Sequence, residues 1–137
     1  TAAGIPVTVL VAPVIPAINE HEIERILDAA FSAGAREAGY VLLRLPLEVK
    51  DIMQDWLMTH HPDKLRHVMS LVRQTRGGKD YDSAWGQRQT GTGPMAWLVG
   101  RRFKQAVTRI GYRASRTRLR TDLFAVPEKE QAQLSLF

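Results

Sequence analysis

The sequence predicts an α/β fold: two parallel strands joined by a crossover helix, followed by a mainly helical and strongly basic C-terminal region. Three observations predict it. Val7–Ala12 and Tyr40–Leu45 are short continuous apolar runs, the pattern of parallel strands buried on both faces. Apolar residues at helical spacing lie between them, and strand, helix and strand within about forty residues make a βαβ unit with a right-handed crossover. The charge then changes sign along the chain. Residues 1–63 hold four bases against nine acids, whereas residues 64–121 hold fourteen bases against only Asp80 and Asp82.

The first run belongs to PVTVLVAPVIPAINEHEIERIL, residues 6–27, and passes through Pro13 and Pro16 into a helix. Asn19 is the expected N-cap, with Glu22 three residues on completing a capping box. Ile23, Ile26, Leu27, Ala30 and Phe31 then form one apolar face, and Gly34 suits the position just past the helix. After the second strand, Pro46 can occupy the first turn of another helix, with Val49, Ile52, Met53, Trp56 and Leu57 as its buried stripe. Pro62 restarts a helix with Leu65, Val68, Met69 and Val72 inward. RGGKDYDSAWGQRQTGTGP, residues 76–94, is glycine-rich and non-periodic, hence a long loop. Met95, Val99, Phe103, Ala106, Val107 and Ile110 line a last helix that stops near Gly111, followed by the basic connector YRASRTRLR and a polar tail. Three segments result: a βαβα portion at 1–61, a basic helical extension at 62–121 and the tail at 122–137.

The length of 137 residues suits one domain. No stretch is long and uncharged enough to span a membrane, and the start lacks the basic region and cleavage site of a signal peptide. A cytoplasmic protein is therefore expected. The absence of cysteine excludes disulfides and any thiolate-held metal or cluster within the chain. Two parallel strands cannot close a barrel or cover both faces of a sheet. Ala3-Gly4-Ile5-Pro6 also reads as a helix-to-strand connection, so the C-terminal part of a longer α/β protein is expected. Its open sheet edges would favour self-association.

AGIPVTVLVAPVIPAINEHEIERIL followed by AGAREAGYVLLRLPLEV resembles the late strands of the radical S-adenosylmethionine family, in particular bacterial members related to spore photoproduct lyase. The resemblance continues through RHVMSLVRQTRGGKDYDSAWGQRQTGTGPMAWLVGRRF and LRTDLF. It implies an incomplete TIM-like (β/α)6 barrel, S-adenosylmethionine and a [4Fe–4S] cluster as cofactors, and a 5′-deoxyadenosyl radical acting on nucleic acid in a lyase-like DNA repair reaction. The cluster loop, CxxxCxxC, is absent here, so the chain alone is expected to be inert. Val14, Ile15 and Pro16 match the place where the family packs against the adenine of the cofactor. Leu43, Arg44 and Leu45 match the strand end that contributes backbone contacts to the same base. The alternative is a non-catalytic module that binds nucleic acid or is tethered to a clamp.

Arg44 interrupts an apolar run, and a buried unpaired charge would be costly. Its guanidinium either pairs with a carboxylate such as Glu48, or meets a substrate phosphate or the cofactor carboxylate. In the basic half, Arg101, Arg102, Lys104, Arg109, Arg113 and Arg116 are expected to contact nucleic-acid phosphates. Trp85 and Trp97 flank the glycine-rich loop; Trp97 is expected in the core. His60, His61 and His67 show no ligand spacing, and no metal site is expected. The chain ends in QAQLSLF, whose last five residues resemble the pentapeptide by which bacterial replication and repair proteins dock on the sliding clamp. That resemblance implies Gln133 as a hydrogen-bonding anchor, with Leu134, Leu136 and Phe137 filling apolar pockets.

Overall fold

A computed structural model describes residues 1–81, 86–114, 118 and 121–126. Strands β1 (Thr8–Val14) and β2 (Glu37–Leu42) are parallel and flank helix α1 (Ile23–Ser32), as the βαβ reading predicts. Helices α2 (Val49–His60), α3 (Leu65–Gln74) and α4 (Gly93–Ile110) follow. The protein is thus mixed α/β, with two parallel strands and four α-helices among the described residues. None of these helices is long and apolar enough to cross a membrane.

β1 runs two residues past its expected end. Val11 pairs with Tyr40 and Val14 with Leu42, so the register slips at Ala12-Pro13, a cis peptide bond. Proline has no amide hydrogen for the ladder, and the bulge it occupies returns Val14 to the same face as Val11. β2 is shifted three residues toward the N-terminus of the expected Tyr40–Leu45 run. It starts at Glu37, because Glu37, Ala38 and Gly39 pair with Thr8, Val9 and Leu10, and it ends at Leu42, the partner of the last β1 residue, Val14. Neither Ala38 nor Gly39 has the bulk that would have marked a strand in the sequence.

The capping box does not form. Glu20–Glu22 is a 3₁₀ turn, and Asn19 makes no side-chain cap. Its amide instead braces the turn after β1: Oδ1 accepts from the Ile15 amide at 2.7 Å, and Nδ2 donates to the Pro13 carbonyl at 3.1 Å. Gly34 follows the α1 C-cap, and Gly111 closes α4 in the left-handed conformation.

α1 and α4 cover the same side of the sheet. Val11, Val14, Ile23, Leu27, Leu42, Ala96, Val99 and Ala106 form one buried cluster, with Phe31, Tyr40 and Phe103 packed on it. The Tyr112 hydroxyl donates to the Leu27 carbonyl at 2.7 Å and its ring meets Phe31 edge-on, fastening the end of α4 to α1. Two ion pairs repeat the fastening outside: Arg102 grips Glu24 through Nε and Nη2 at 2.9 and 2.7 Å, and Arg109 reaches Asp28 at 3.1 Å. Burial would raise the Glu24 carboxyl, but the hydrogen bond and charge of Arg102 outweigh it and hold the group below its ordinary value.

A second cluster lies beyond the strand ends, where Leu43, Leu45, Leu57, Val68, Met69 and Val72 bury one another. The inward face of α3 is as the sequence predicts. The α2 stripe is not: Leu57 is buried and Met53 half-buried, while Ile52 is 63 % exposed and Val49 and Trp56 also face outward. Helical spacing puts 49, 52 and 56 on one flank and 53 and 57 on another, and α3 covers only the second.

The opposite side of the sheet is open. Thr8, Leu10 and Ala12 face away from α1 and α4, with Leu10 60 % exposed. Among the described residues neither sheet edge is paired with a further strand.

Candidate nucleic-acid interface

The α4 helix separates its residues by period. Positions 95, 99, 103, 106 and 110 turn inward, leaving Trp97, Arg101, Lys104, Gln105 and Thr108 on the outer flank. Trp97 is therefore not a core residue: it is 64 % exposed. Its position is neighbour to Arg101 at i+4, and the Arg101 guanidinium lies 5.0 Å from the indole centre.

Beside this flank runs an open groove of about 390 Å³. Tyr40 and Gly100 form its floor, the 90–93 loop one wall, and Trp97, Arg101 and Lys104 the other. Gly100 and Tyr40 fit closely, since a Cβ on Gly100 would stand 3.0 Å from the Tyr40 hydroxyl and the phenol would have to give way slightly. Tyr40 rests against Phe103, and burial raises its phenol above the ordinary value of 10.0. It thus stays a neutral donor and acceptor near neutrality.

The loop wall is strapped in place by a residue with no evident role in the sequence. Arg76 is 2 % exposed at the end of α3. Its guanidinium donates to the carbonyls of Leu42 and Leu43 at 3.3 and 2.9 Å, and to those of Gln87 and Arg88 at 3.2 and 3.0 Å. One side chain therefore ties the end of β2 to the glycine-rich segment. The Leu42 amide donates to Gln89 O at 2.8 Å and the Thr92 amide to Thr75 O at 3.0 Å, completing the strap. Gly91 is required here: its φ is +70°, and a Cβ would lie 2.9 Å from the Thr75 carbonyl.

The basic residues expected at an interface divide into groups. Arg101 and Lys104 border the groove and have no carboxylate partner among the described residues. Arg102 is committed to Glu24, and Arg109 makes a largely exposed pair with Asp28. Arg113 lies past the far end of α4, where its amide donates to Arg36 O near the start of β2. Arg116 lies outside the described residues, as do Trp85 and the tail residues Gln133, Leu134, Leu136 and Phe137.

The six positions matched to a cofactor sit together at the strand ends. Val14, Pro16, Leu43 and Leu45 are buried, and Ile15 packs on the second cluster. The Leu43 amide donates to Val14 O, and its carbonyl is taken by Arg76. Ile15 and Arg44 alone among the six keep partly exposed side chains. Arg44 does not pair with Glu48; its Nη2 donates to the Tyr81 hydroxyl at 3.1 Å. Among the described residues no three histidine, aspartate or glutamate side chains come together as a metal site would need.

Tyr40, Gly100 and Arg76 were not singled out by sequence reasoning. In the sequence Arg76 is only the first residue of the glycine-rich segment 76–94. Comparison with protein-family models, with curated proteins and with solved structures finds no match.

Proposed function

We propose that this chain binds nucleic acid with unpaired bases through the outer flank of α4. The observation that carries the reading is the exposed Trp97 ring, stacked by Arg101 and bordered by Lys104 at the mouth of a groove. An indole free of its own core offers a base a stacking surface, and the two cations suit the flanking phosphates. Bases inside a duplex already stack on each other, so this surface favours single strands. The test is a fluorescence titration with a single-stranded oligonucleotide at several salt concentrations. Saturable binding is expected, with a tryptophan quench that disappears in Trp97→Phe. Two phosphate contacts, one for each cation, would give a logarithmic salt slope of about −1.4 on a single strand. Absence of saturable binding, or affinity indifferent to salt, overturns the proposal.

The sequence of the tail supports a second contact of the same protein, with a bacterial sliding clamp through Gln133, Leu134, Leu136 and Phe137. Removal of residues 133–137 is expected to abolish capture on immobilised clamp while leaving the melting temperature unchanged. Undiminished capture removes this partner.

The uncovered sheet face favours a second reading of the architecture. In the wall of a radical S-adenosylmethionine barrel, helices cover the outside and the other face lines the lumen, which is how Leu10 and Ala12 are disposed. The residues of this chain do not fit the cluster of such an enzyme, because none is cysteine. The thiolates would have to come from outside these 137 residues. A nucleoside at the strand ends would meet Ile15 and Arg44, since the other matched side chains are buried. A longer product that contains this segment and a cysteine triplet should be brown from its iron–sulfur chromophore. A colourless, iron-free product after anaerobic reconstitution would leave only the binding reading.

A further inference from the structure

Arg44 stands two residues beyond β2, at the carboxyl end of the parallel strands, where open α/β sheets place their ligands. Its one hydrogen-bonded partner among the described residues is the Tyr81 hydroxyl, and its guanidinium lies 5.8 Å from the Tyr81 ring centre. Its Nε is enclosed by protein and meets no acceptor among those residues. A hydroxyl hydrogen bond does not compensate a guanidinium charge. Having accepted from Arg44, the Tyr81 oxygen keeps its own proton to donate. The pair therefore presents donors and positive charge, and lacks an acceptor.

The surroundings deepen the deficit. Asp80, the residue before Tyr81, is shared by Lys50 at 2.9 Å and Arg73 at 3.2 Å. The Lys50 hydrogen bond, aided by Arg73 and partly opposed by burial, keeps its carboxyl ionised below the ordinary value. Asp80 is thus taken up by Lys50 and Arg73, and Arg44 has no carboxylate partner among the described residues. A partly buried guanidinium with no counter-charge among the described residues is costly, and an external oxyanion removes that cost. Phosphate suits the vacancy in charge, because its oxygens accept from a planar guanidinium and a hydroxyl at once. Neither Arg44 nor Tyr81 lines the α4 groove.

We infer that Arg44 and Tyr81 form a phosphate-binding site at the end of β2, distinct from the α4 flank and independent of the nucleic-acid reading. The phosphate belongs either to a small free ligand or to a nucleic-acid strand. The first probe is inorganic pyrophosphate, titrated by thermal shift and calorimetry at constant ionic strength with chloride as the control. Saturable binding is expected for the unaltered chain. Arg44→Lys, which keeps the charge and loses the planar fork, should weaken it by about tenfold or more, and Tyr81→Phe by about threefold or more. The second probe is a single-stranded oligonucleotide. A parallel loss there assigns the phosphate to a strand, and unchanged oligonucleotide affinity assigns it to a small ligand. Tyr81→Phe removes only one oxygen and keeps the inference testable should Arg44→Lys fail to fold. No saturable response to pyrophosphate in the unaltered chain overturns the inference, as does equal binding by the folded variants.

Discussion

Replacing Arg76 by alanine is expected to lower the unfolding free energy by about 3 kcal/mol, or on the order of 10 °C in melting temperature. The guanidinium serves four backbone carbonyls, Leu42, Leu43, Gln87 and Arg88, from a site that is 2 % exposed. Its removal leaves the Leu42 and Leu43 oxygens facing a void between β2 and α3, where water recovers only part of the lost bonding. Arg76→Lys should regain little, because a single ammonium cannot span carbonyls on both the strand end and the loop. Chemical denaturation followed by circular dichroism measures the effect. A loss below about 1 kcal/mol would mean that the loop is held by the Leu42 and Thr92 amides alone. The same variant should also bind oligonucleotides more weakly, since the loop it releases is a wall of the groove.

The second large effect concerns the α4 flank. Trp97→Ala is expected to cost about 1–3 kcal/mol of single-strand affinity, which corresponds to about five- to 150-fold. Arg101→Glu combined with Lys104→Glu should weaken binding at least as much and flatten the salt dependence, because repulsion replaces two phosphate contacts. Neither change should alter stability strongly, as all three side chains lie on the solvent side of the helix. Arg102→Glu makes the contrast. It opposes Glu24 with a like charge across the α1–α4 contact, so its effect should appear in the denaturation curve. Comparable losses of affinity for Arg102→Glu and for the Arg101/Lys104 pair, with all variants equally stable, would contradict the division between structural and binding cations drawn from the ion pairs.

The charge count could not make that division. Arg101, Arg102, Lys104 and Arg109 look alike in the sequence, and their acidic partners are 78 residues away for Arg102 and 81 for Arg109. Trp97 illustrates the same limit in reverse. A tryptophan between Ala96 and Leu98 reads as core by composition, yet its angular position on α4 places it with Arg101, away from the 95, 99 and 103 line. Arg44 was anomalous from the outset as a charge within an apolar run, but only its surroundings show that Glu48 does not neutralise it.

What the sequence alone determined is local and periodic: the order of strands and helices, the parallel pairing of the strands, and the inward faces of α3 and α4. The inward face of α1 belongs with them except for Ile26, which is 36 % exposed because it lies to one side of the Ile23–Leu27 line that meets the core. These follow from spacings of two and 3.6 residues, from proline and glycine stops, and from composition. Tertiary structure decided the rest: which half of α2 is covered, which cations are spent on carboxylates, and which loop residues line a groove. Asn19 braces a turn instead of capping a helix, and Arg76 ties a strand to a loop, because the nearest unsatisfied backbone groups lay elsewhere in space. The physical reason is common to all of them. A polar side chain settles by the partner the fold brings to it, and that partner is set by packing between segments far apart in the chain.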